Sequence, residues 1–279
     1  MTYKTMMVHL DTSRGAKTRL SFALKLARKF GAHLDGVFAM LDPHPVGFYA
    51  MTGAADYYEA HRRFLTQKRR EVEGLFRAEL TRARVPGRWN APDGYPVTTI
   101  VQRGRTADLV VLGQSRPKDP ESYVADHFLE TVLLGAGSPV LLVPETSSLE
   151  VVGDRVLIGW NGSREAARAI HDAIPFIARA THVTVVAIST VVKAGPTEAS
   201  CADVVTMLRR HTTHPVDVAR FERSLAVSTG DALLRFAIDG EYDLLVTGAY
   251  GHARFQEFVL GGVTRAILAS MALPVLMSH

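Results

Sequence analysis

Short apolar runs alternate with stretches of helical period along the second half of the chain. The runs are rich in β-branched residues and predict strands over 155–160, 183–189, 216–221, 243–248 and 274–277. The stretches between them carry apolar residues at helical spacing and predict helices over 165–180, 198–211, 230–239 and 255–270. Strands that alternate with helices are typical of a parallel sheet covered by helices, so the pattern predicts an α/β fold.

The first of these helices carries clear signals for its start and for a break. Ser163 follows the turn Asn161-Gly162 and is expected to cap the helix through its hydroxyl oxygen. Pro175 is expected to interrupt the helix, because proline removes a backbone donor and clashes with the preceding turn.

The first half of the chain repeats the second. KTMMVHLDTSR at 4–14 matches DRVLIGWNGSR at 154–164, ADLVVLGQS at 107–115 matches YDLLVTGAY at 242–250, and GSPVLLVP at 137–144 matches ALPVLMSH at 272–279. The first half adds an insertion at 41–58 and a longer second helix at 56–84. The repeat predicts two tandem α/β domains, 1–145 and 154–279, each an open five-stranded parallel sheet covered by helices.

Composition narrows the class of protein. A chain of 279 residues with 47% hydrophobic and 22% charged residues is typical of two globular domains and not of a disordered or fibrous protein. No apolar run is long enough to span a membrane, and the first residues lack the apolar core of a secretory signal. A single cysteine, Cys201, excludes a disulfide framework and a cysteine-based zinc site. We therefore expect a cytoplasmic protein.

The positive net charge of +4 does not indicate a nucleic-acid partner. The densest basic stretch, 61–70, is interleaved with acidic residues, which predicts the solvated face of the long helix. Four apolar positions on that helix suit a core or a contact surface equally: Phe64, Val72, Leu75 and Phe76.

A glycine pattern marks the candidate site. Ligands of open parallel sheets bind beyond the carboxyl ends of the strands. After the strand at 243–248, Gly248 and Gly251 are followed nine residues later by Gly261 and Gly262, where the last helix opens. Glycines there let backbone amides approach a phosphate, and a helix N-terminus favours an anion, although the same glycines also suit a plain turn.

This spacing, G-x2-G-x9-G, resembles the nucleotide-binding signature of the universal stress protein family. The resemblance extends to the ends of the first strands, where the family usually has Asp and this chain has Asp11 and Asn161, and to the proline before each closing strand. It covers nearly all of the chain as a tandem pair. It implies a Rossmann-like fold of the adenine nucleotide alpha hydrolase type and a regulatory or protective role in stress responses.

The resemblance also implies a ligand and the residues around it. The ligand would be ATP or another adenine nucleotide, with Mg²⁺ as its companion ion. Asn161 would lie beside the ligand, Ile188 would line the base pocket, and the phosphates would be surrounded by Gly248, Gly251, Gly261 and Gly262, with Thr264 nearby.

Several positions depart from the family pattern. Gly262 stands where ATP-binding members carry Ser or Thr, and Asn161 replaces a carboxylate that would hold a metal ion. In the first half, Arg116 lies opposite Gly251 and Asp126 opposite Gly261, so we expect no nucleotide there. Three functions stay open: a nucleotide-binding regulator with unidentified protein partners, a ligand-free interaction scaffold, and a slow ATPase.

Other reactive residues form weaker candidates. The spacing of a metal site is absent from His211 and His214 with Cys201 and Asp203, and no catalytic residue is predicted. His9 on an apolar strand is expected to be a hydrogen-bonded core histidine, whereas His252 would face the ligand.

The closing strands predict how the halves join. The runs at 140–143 and 275–277 are short and apolar, and each follows a proline, as edge strands in need of a partner do. We expect them to pair within the chain and to form a pseudo-dimer about a local twofold axis. Larger assemblies through other surfaces stay open.

Overall fold

The computed structural model describes residues 2–39, 54–114, 124–125, 127–144, 151–190, 198–223, 226–250 and 262–279. The chain forms two compact units. The first unit comprises residues 3–111 and 115–136, and the second unit comprises residues 1–2, 112–114 and 137–279. The closing strand of the first repeat thus belongs to the second unit, while the repeat boundary at 145–153 stays a prediction.

The first unit is built on a parallel sheet with strand order β3-β2-β1-β4. Its strands are β1 (Thr5–Leu10), β2 (His33–Phe38), β3 (Gly87–Asn90) and β4 (Leu109–Gly113), whose last two residues lie in the second unit. Its helices are α1 (Gly15–Phe30), α2 (Ala54–Ala83), α3 (Pro96–Gly104) and α4 (Phe128–Gly135).

The second unit has the strand order β5-β10-β9-β6-β7-β8. Its strands are β5 (Val140–Val143), β6 (Arg155–Gly159), β7 (His182–Thr190), β8 (Val216–Arg223), β9 (Leu244–Gly248) and β10 (Val275–Ser278). Its helices are α5 (Arg164–Asp172), α6 (Ile174–Ile177), α7 (Glu198–Leu208), α8 (Thr229–Asp239) and α9 (Gly262–Ser270). The α/β fold class and the parallel order predicted from the repeat are confirmed.

The two closing strands pair as predicted. β5 runs antiparallel to β10, with Val140 opposite Met277 and Leu142 opposite Val275, whereas the other strand pairs of the second unit are parallel. Both strands are fully buried. The twofold relation between the repeats stays a prediction.

Local signals in the sequence fix the start and the break of α5. The Ser163 hydroxyl accepts a hydrogen bond from the Ala166 amide at 3.2 Å, which is the predicted N-cap. The helix stops at Asp172, and a separate turn, α6, contains Pro175. The helix predicted over 255–270 is described only from Gly262 onward.

In each unit, an aspartate at the equivalent position of the repeat binds backbone amides at the amino ends of the strands. The Asp108 carboxylate accepts hydrogen bonds from the backbone amides of Lys4 and Thr5, at 2.7 and 2.8 Å. Asp243 accepts in the same way from Gly153 at 2.8 Å and from the two residues that follow. Burial raises the pKa of Asp243, against the opposing effect of these amides. This end of the strands is the one away from the candidate site.

The long helix α2 has a buried end and a solvated end. Phe76 is buried against Gly36, where an added Cβ would lie 2.6 Å from the phenyl ring. Phe64 is 48% exposed, and the basic residues around it form ion pairs along the helix, such as Arg63 with Glu59 at 2.9 Å. The basic stretch is therefore a solvated helix face. Within the described parts of the chain, each helix is too short or too polar to cross a bilayer.

Candidate nucleotide site

Three strand ends of the second unit meet at one edge of the sheet. Gly159, the last residue of β6, lies opposite Val186 of β7 on one side and opposite Thr247 of β9 on the other. The residues just beyond these positions therefore emerge together at the carboxyl edge of the sheet. They include Asn161 and Gly248, and Ile188 lies two residues past Val186.

Asn161 is exposed at this edge and held in a tight turn. Its Oδ1 accepts a hydrogen bond from the Ser163 amide at 3.0 Å, and Gly162 between them has a φ of +77°. That left-handed conformation favours glycine. Trp160, directly before Asn161, donates from its indole nitrogen to the Ser200 hydroxyl of α7 at 3.0 Å. An indole bound to α7 thus belongs to the residue next to Asn161 in the chain.

Gly248 packs directly against the start of α5. An added Cβ would lie 2.5 Å from the Ala166 amide nitrogen and 2.6 Å from the Glu165 carbonyl carbon, both of them backbone atoms. The φ of Gly248 is outside the left-handed region, so the contact and not the conformation requires glycine. This glycine is explained by packing whether or not a ligand binds.

Gly262 differs from Gly248 both in its exposure and in the space available for an added side chain. It is exposed as the first residue of α9, and an added Cβ would meet no atom of the described residues within 4 Å. A side chain at this position therefore changes the site without disturbing the core.

The two glycines give opposite predictions for stability. Gly248→Ala is expected to lower the free energy of unfolding by about 2 kcal/mol, because backbone must move to admit the methyl group. Gly262→Ala is expected to raise it by about 0.5 kcal/mol, since alanine is the better helix former. Urea unfolding of both variants measures these changes. A neutral Gly248→Ala would show that α5 is not held against β9.

The remaining predicted residues lie in different surroundings. Thr264 is buried, and its hydroxyl accepts a weak hydrogen bond from the Tyr250 amide at 3.4 Å, so it ties α9 to the end of β9. Ile188 is half-buried on β7, opposite Phe221 of β8. Gly251 and Gly261 lie outside the described residues, as do His252, Arg116 and Asp126. Ligand contacts of all these residues stay predictions.

The same edge of the first unit contains a buried ion pair. Asp11, just after β1, lies 2.9 Å from the Arg19 guanidinium of α1, and each residue is 4% exposed. The Asp11 carboxylate also accepts hydrogen bonds from the Ser13 amide and hydroxyl, at 3.0 and 2.6 Å. Arg19 in turn donates to the His9 carbonyl at 2.6 Å. Two opposite charges thus lie at this edge of the first unit, where the second unit has the exposed amide of Asn161.

Burial and charge set the protonation of this cluster. Burial acts to raise the pKa of Asp11, but the charge of Arg19 outweighs it with help from His9 and Ser13, and the pKa is lowered. Burial lowers the pKa of His9 to about 4, with Arg19 acting in the same direction and Asp11 and the Ala39 carbonyl opposing. His9 is therefore neutral near pH 7, with Nε2 donating to the Ala39 carbonyl at 2.8 Å. The prediction of a hydrogen-bonded core histidine is confirmed.

The family of this chain follows from a direct comparison. The family model described as "Universal stress protein family" matches it twice, over residues 2–144 and 153–279. The chain belongs to the universal stress protein family. Its two repeats are tandem members of that family, as the resemblance implied.

Relatives of this universal stress protein are similar over different lengths. Universal stress protein Slr1230 from Synechocystis is 39% identical over 46 residues, which is 16% of this chain and 16% of that relative's length. A universal stress protein structure from Archaeoglobus fulgidus is 16% identical, covers 98% of this chain and 97% of its own, and has a TM-score of 0.71. At that identity the likeness establishes the fold alone.

One solved relative contains a nucleotide. It is a universal stress protein in complex with cAMP, 20% identical to this one, covering 52% of this chain and 100% of its own with a TM-score of 0.36. Nucleotide binding thus occurs in a relative.

The weaker metal candidate is not assembled in this universal stress protein. Among the described residues, no three His, Cys, Asp or Glu side chains lie close enough to share a metal ion. Cys201 is buried in α7, and His211 is exposed beyond the end of that helix. The described residues therefore leave the carboxyl edge of the second unit as the candidate site.

Sequence reasoning missed Arg19. Extending the register of the repeat by eight residues from Asp11 and Asn161 places Arg19 opposite Ala169, which is fully buried. An arginine on the apolar face of a predicted helix was the available signal, because such a residue is rarely buried without a carboxylate partner.

Proposed function

We propose that this universal stress protein is a cytoplasmic regulator that binds one adenine nucleotide in its second unit and passes that occupancy to protein partners. The nucleotide base would lie by Ile188, and its phosphate would lie between the turn at Asn161 and the start of α9. The first unit would take no nucleotide.

The contrast between the two units carries this proposal. At the end of β1 a buried carboxylate and guanidinium fill the first unit, whereas at the end of β6 the equivalent Asn161 is exposed and Ala169 replaces the arginine. Gly262 at the start of α9 is exposed, and no atom of the described residues lies within 4 Å of an added Cβ, which supports room for an anion at this helix N-terminus.

The test is isothermal titration of the whole chain with ATP and AMP. We expect a stoichiometry of one per chain. Gly262→Ser is expected to tighten binding about tenfold, because its hydroxyl adds a hydrogen bond to a charged acceptor. Gly262→Asp is expected to abolish binding, since it puts a carboxylate where the phosphate would lie, while a carboxylate in the first turn of a helix leaves folding unharmed.

Controls separate charge from position. Gly74→Asp adds the same charge in open space on α2 and should leave the affinity unchanged. Trp160 fluorescence gives a second readout, because Trp160 directly precedes Asn161 in the chain. Two titrating sites would contradict the assignment to the second unit. No binding at all would favour the ligand-free scaffold, in which Gly248 serves packing only.

A further inference from the structure

We infer that the second unit takes its nucleotide as the free anion and not as the magnesium chelate. This inference rests on the proposed function and concerns the companion ion that the family resemblance implies. It follows from the donor atoms that the carboxyl edge presents.

The turn after β6 lacks the kind of ligand that magnesium requires. Protein-bound Mg²⁺ is held by one or two carboxylates together with substrate phosphates. Asn161 presents a neutral amide at the position of the family's carboxylate, and its oxygen already accepts a hydrogen bond from the Ser163 amide. A neutral oxygen that is already hydrogen-bonded is a poor substitute for a carboxylate.

The first described carboxylate after this turn in the chain already has a partner. Glu165, in the first turn of α5, is 5% exposed and is paired with the guanidinium of Arg164. Asp243 lies at the opposite end of β9, where three backbone amides hold it. Both carboxylates thus already have partners, as does Asp231 in the first turn of α8, which accepts a hydrogen bond from the Ser228 hydroxyl at 2.7 Å.

The repeat shows how charge at this position is balanced. The first unit keeps the acid, Asp11, together with its own buried cation, Arg19, at 2.9 Å. The second unit has neither, because Asn161 and Ala169 occupy the two equivalent positions. The acid and the arginine are thus either both present or both absent. In neither unit do these two positions carry a net negative charge that would attract a divalent cation.

The experiment compares nucleotide affinity with EDTA and with excess magnesium. We expect AMP to bind the wild-type chain equally in both buffers and ATP to bind no better with magnesium. Asn161→Asp is expected to make ATP binding magnesium-dependent by about tenfold, because it restores a charged ligand at the exposed turn. Asn161→Ser is the matched control and should gain no such dependence. Titration of Mn²⁺ in the presence of ATP, followed by its paramagnetic resonance signal, should detect a protein-bound ion only in Asn161→Asp.

The outcomes distinguish the inference from the proposed function. Binding that requires magnesium in the wild-type chain would overturn the inference and leave the proposed function standing. Absence of binding in both buffers would overturn the proposed function. An Asn161→Asp variant without metal dependence would show that residue 161 does not face the phosphates, and would overturn the reasoning from this position.

Discussion

Asp11→Asn is expected to lower the free energy of unfolding of the first unit by about 4 kcal/mol. The substitution leaves the Arg19 guanidinium buried without its carboxylate, and breaking a buried ion pair in this way costs roughly 3–5 kcal/mol. Urea unfolding followed by Trp89 fluorescence, in a Trp160→Phe background, reports on the first unit, because Trp89 lies in β3.

The second repeat suggests the compensating change. Asp11→Asn with Arg19→Ala reproduces the pair found at Asn161 and Ala169, and removes both charges at once. The double variant is expected to recover at least about 2 kcal/mol of the loss, because no charge is left uncompensated. Strictly additive effects of the two substitutions would contradict the assignment of Asp11 and Arg19 as a coupled pair.

A second large effect is expected on acidification. His9 is buried, and its pKa is lowered from 6.5 to about 4. Between these values the unfolded chain binds a proton that the folded chain does not, so stability falls as pH drops from 6.5 towards 4. The loss from this residue reaches about 3 kcal/mol at pH 4, at 1.36 kcal/mol for each pKa unit. Asp11, whose pKa is lowered, adds its own loss as pH falls through the ordinary pKa of an aspartate and below it, because the unfolded chain then binds a proton that the folded chain does not.

His9→Gln isolates this contribution. The amide side chain provides a donor for the Ala39 carbonyl but does not titrate, so unfolding free energies at pH 7 and pH 4 should differ by about 3 kcal/mol less than in the parent. His211→Gln replaces an exposed histidine and serves as the control, which should retain the parent's dependence on pH. A His9→Gln variant as acid-sensitive as the parent would show that His9 is protonated in the folded chain.

The order of elements was predictable because it rests on features that the sequence displays directly. The strands could be predicted from the β-branched runs, and the tandem arrangement could be predicted from the two copies of the pattern. The start of α5 followed from Ser163, whose side chain acts on its immediate neighbours. The pairing of the closing strands could be predicted because both strands are short and apolar, and an apolar strand edge needs a partner.

Contacts between distant residues were not predictable from local pattern. Gly248 was assigned to a phosphate cradle from its spacing, yet its neighbour in space is the start of α5, more than eighty residues earlier in the chain. Arg19 was overlooked because its partner, Asp11, lies on a different element. β8 was predicted over 216–221 and extends to Arg223, since its pairing with β7 and not its own sequence sets its extent.

The pairing of β5 with β10 also means that one strand is synthesised well before its partner. β5 ends at Val143, whereas its antiparallel partner begins only at Val275, more than 130 residues later in the chain. At ribosomal speeds of about 5–20 residues per second, roughly ten seconds separate the two strands. During that interval the nascent chain carries an apolar strand edge whose partner has not yet been translated, so the rate of elongation through the second repeat governs how long that edge is open to other chains.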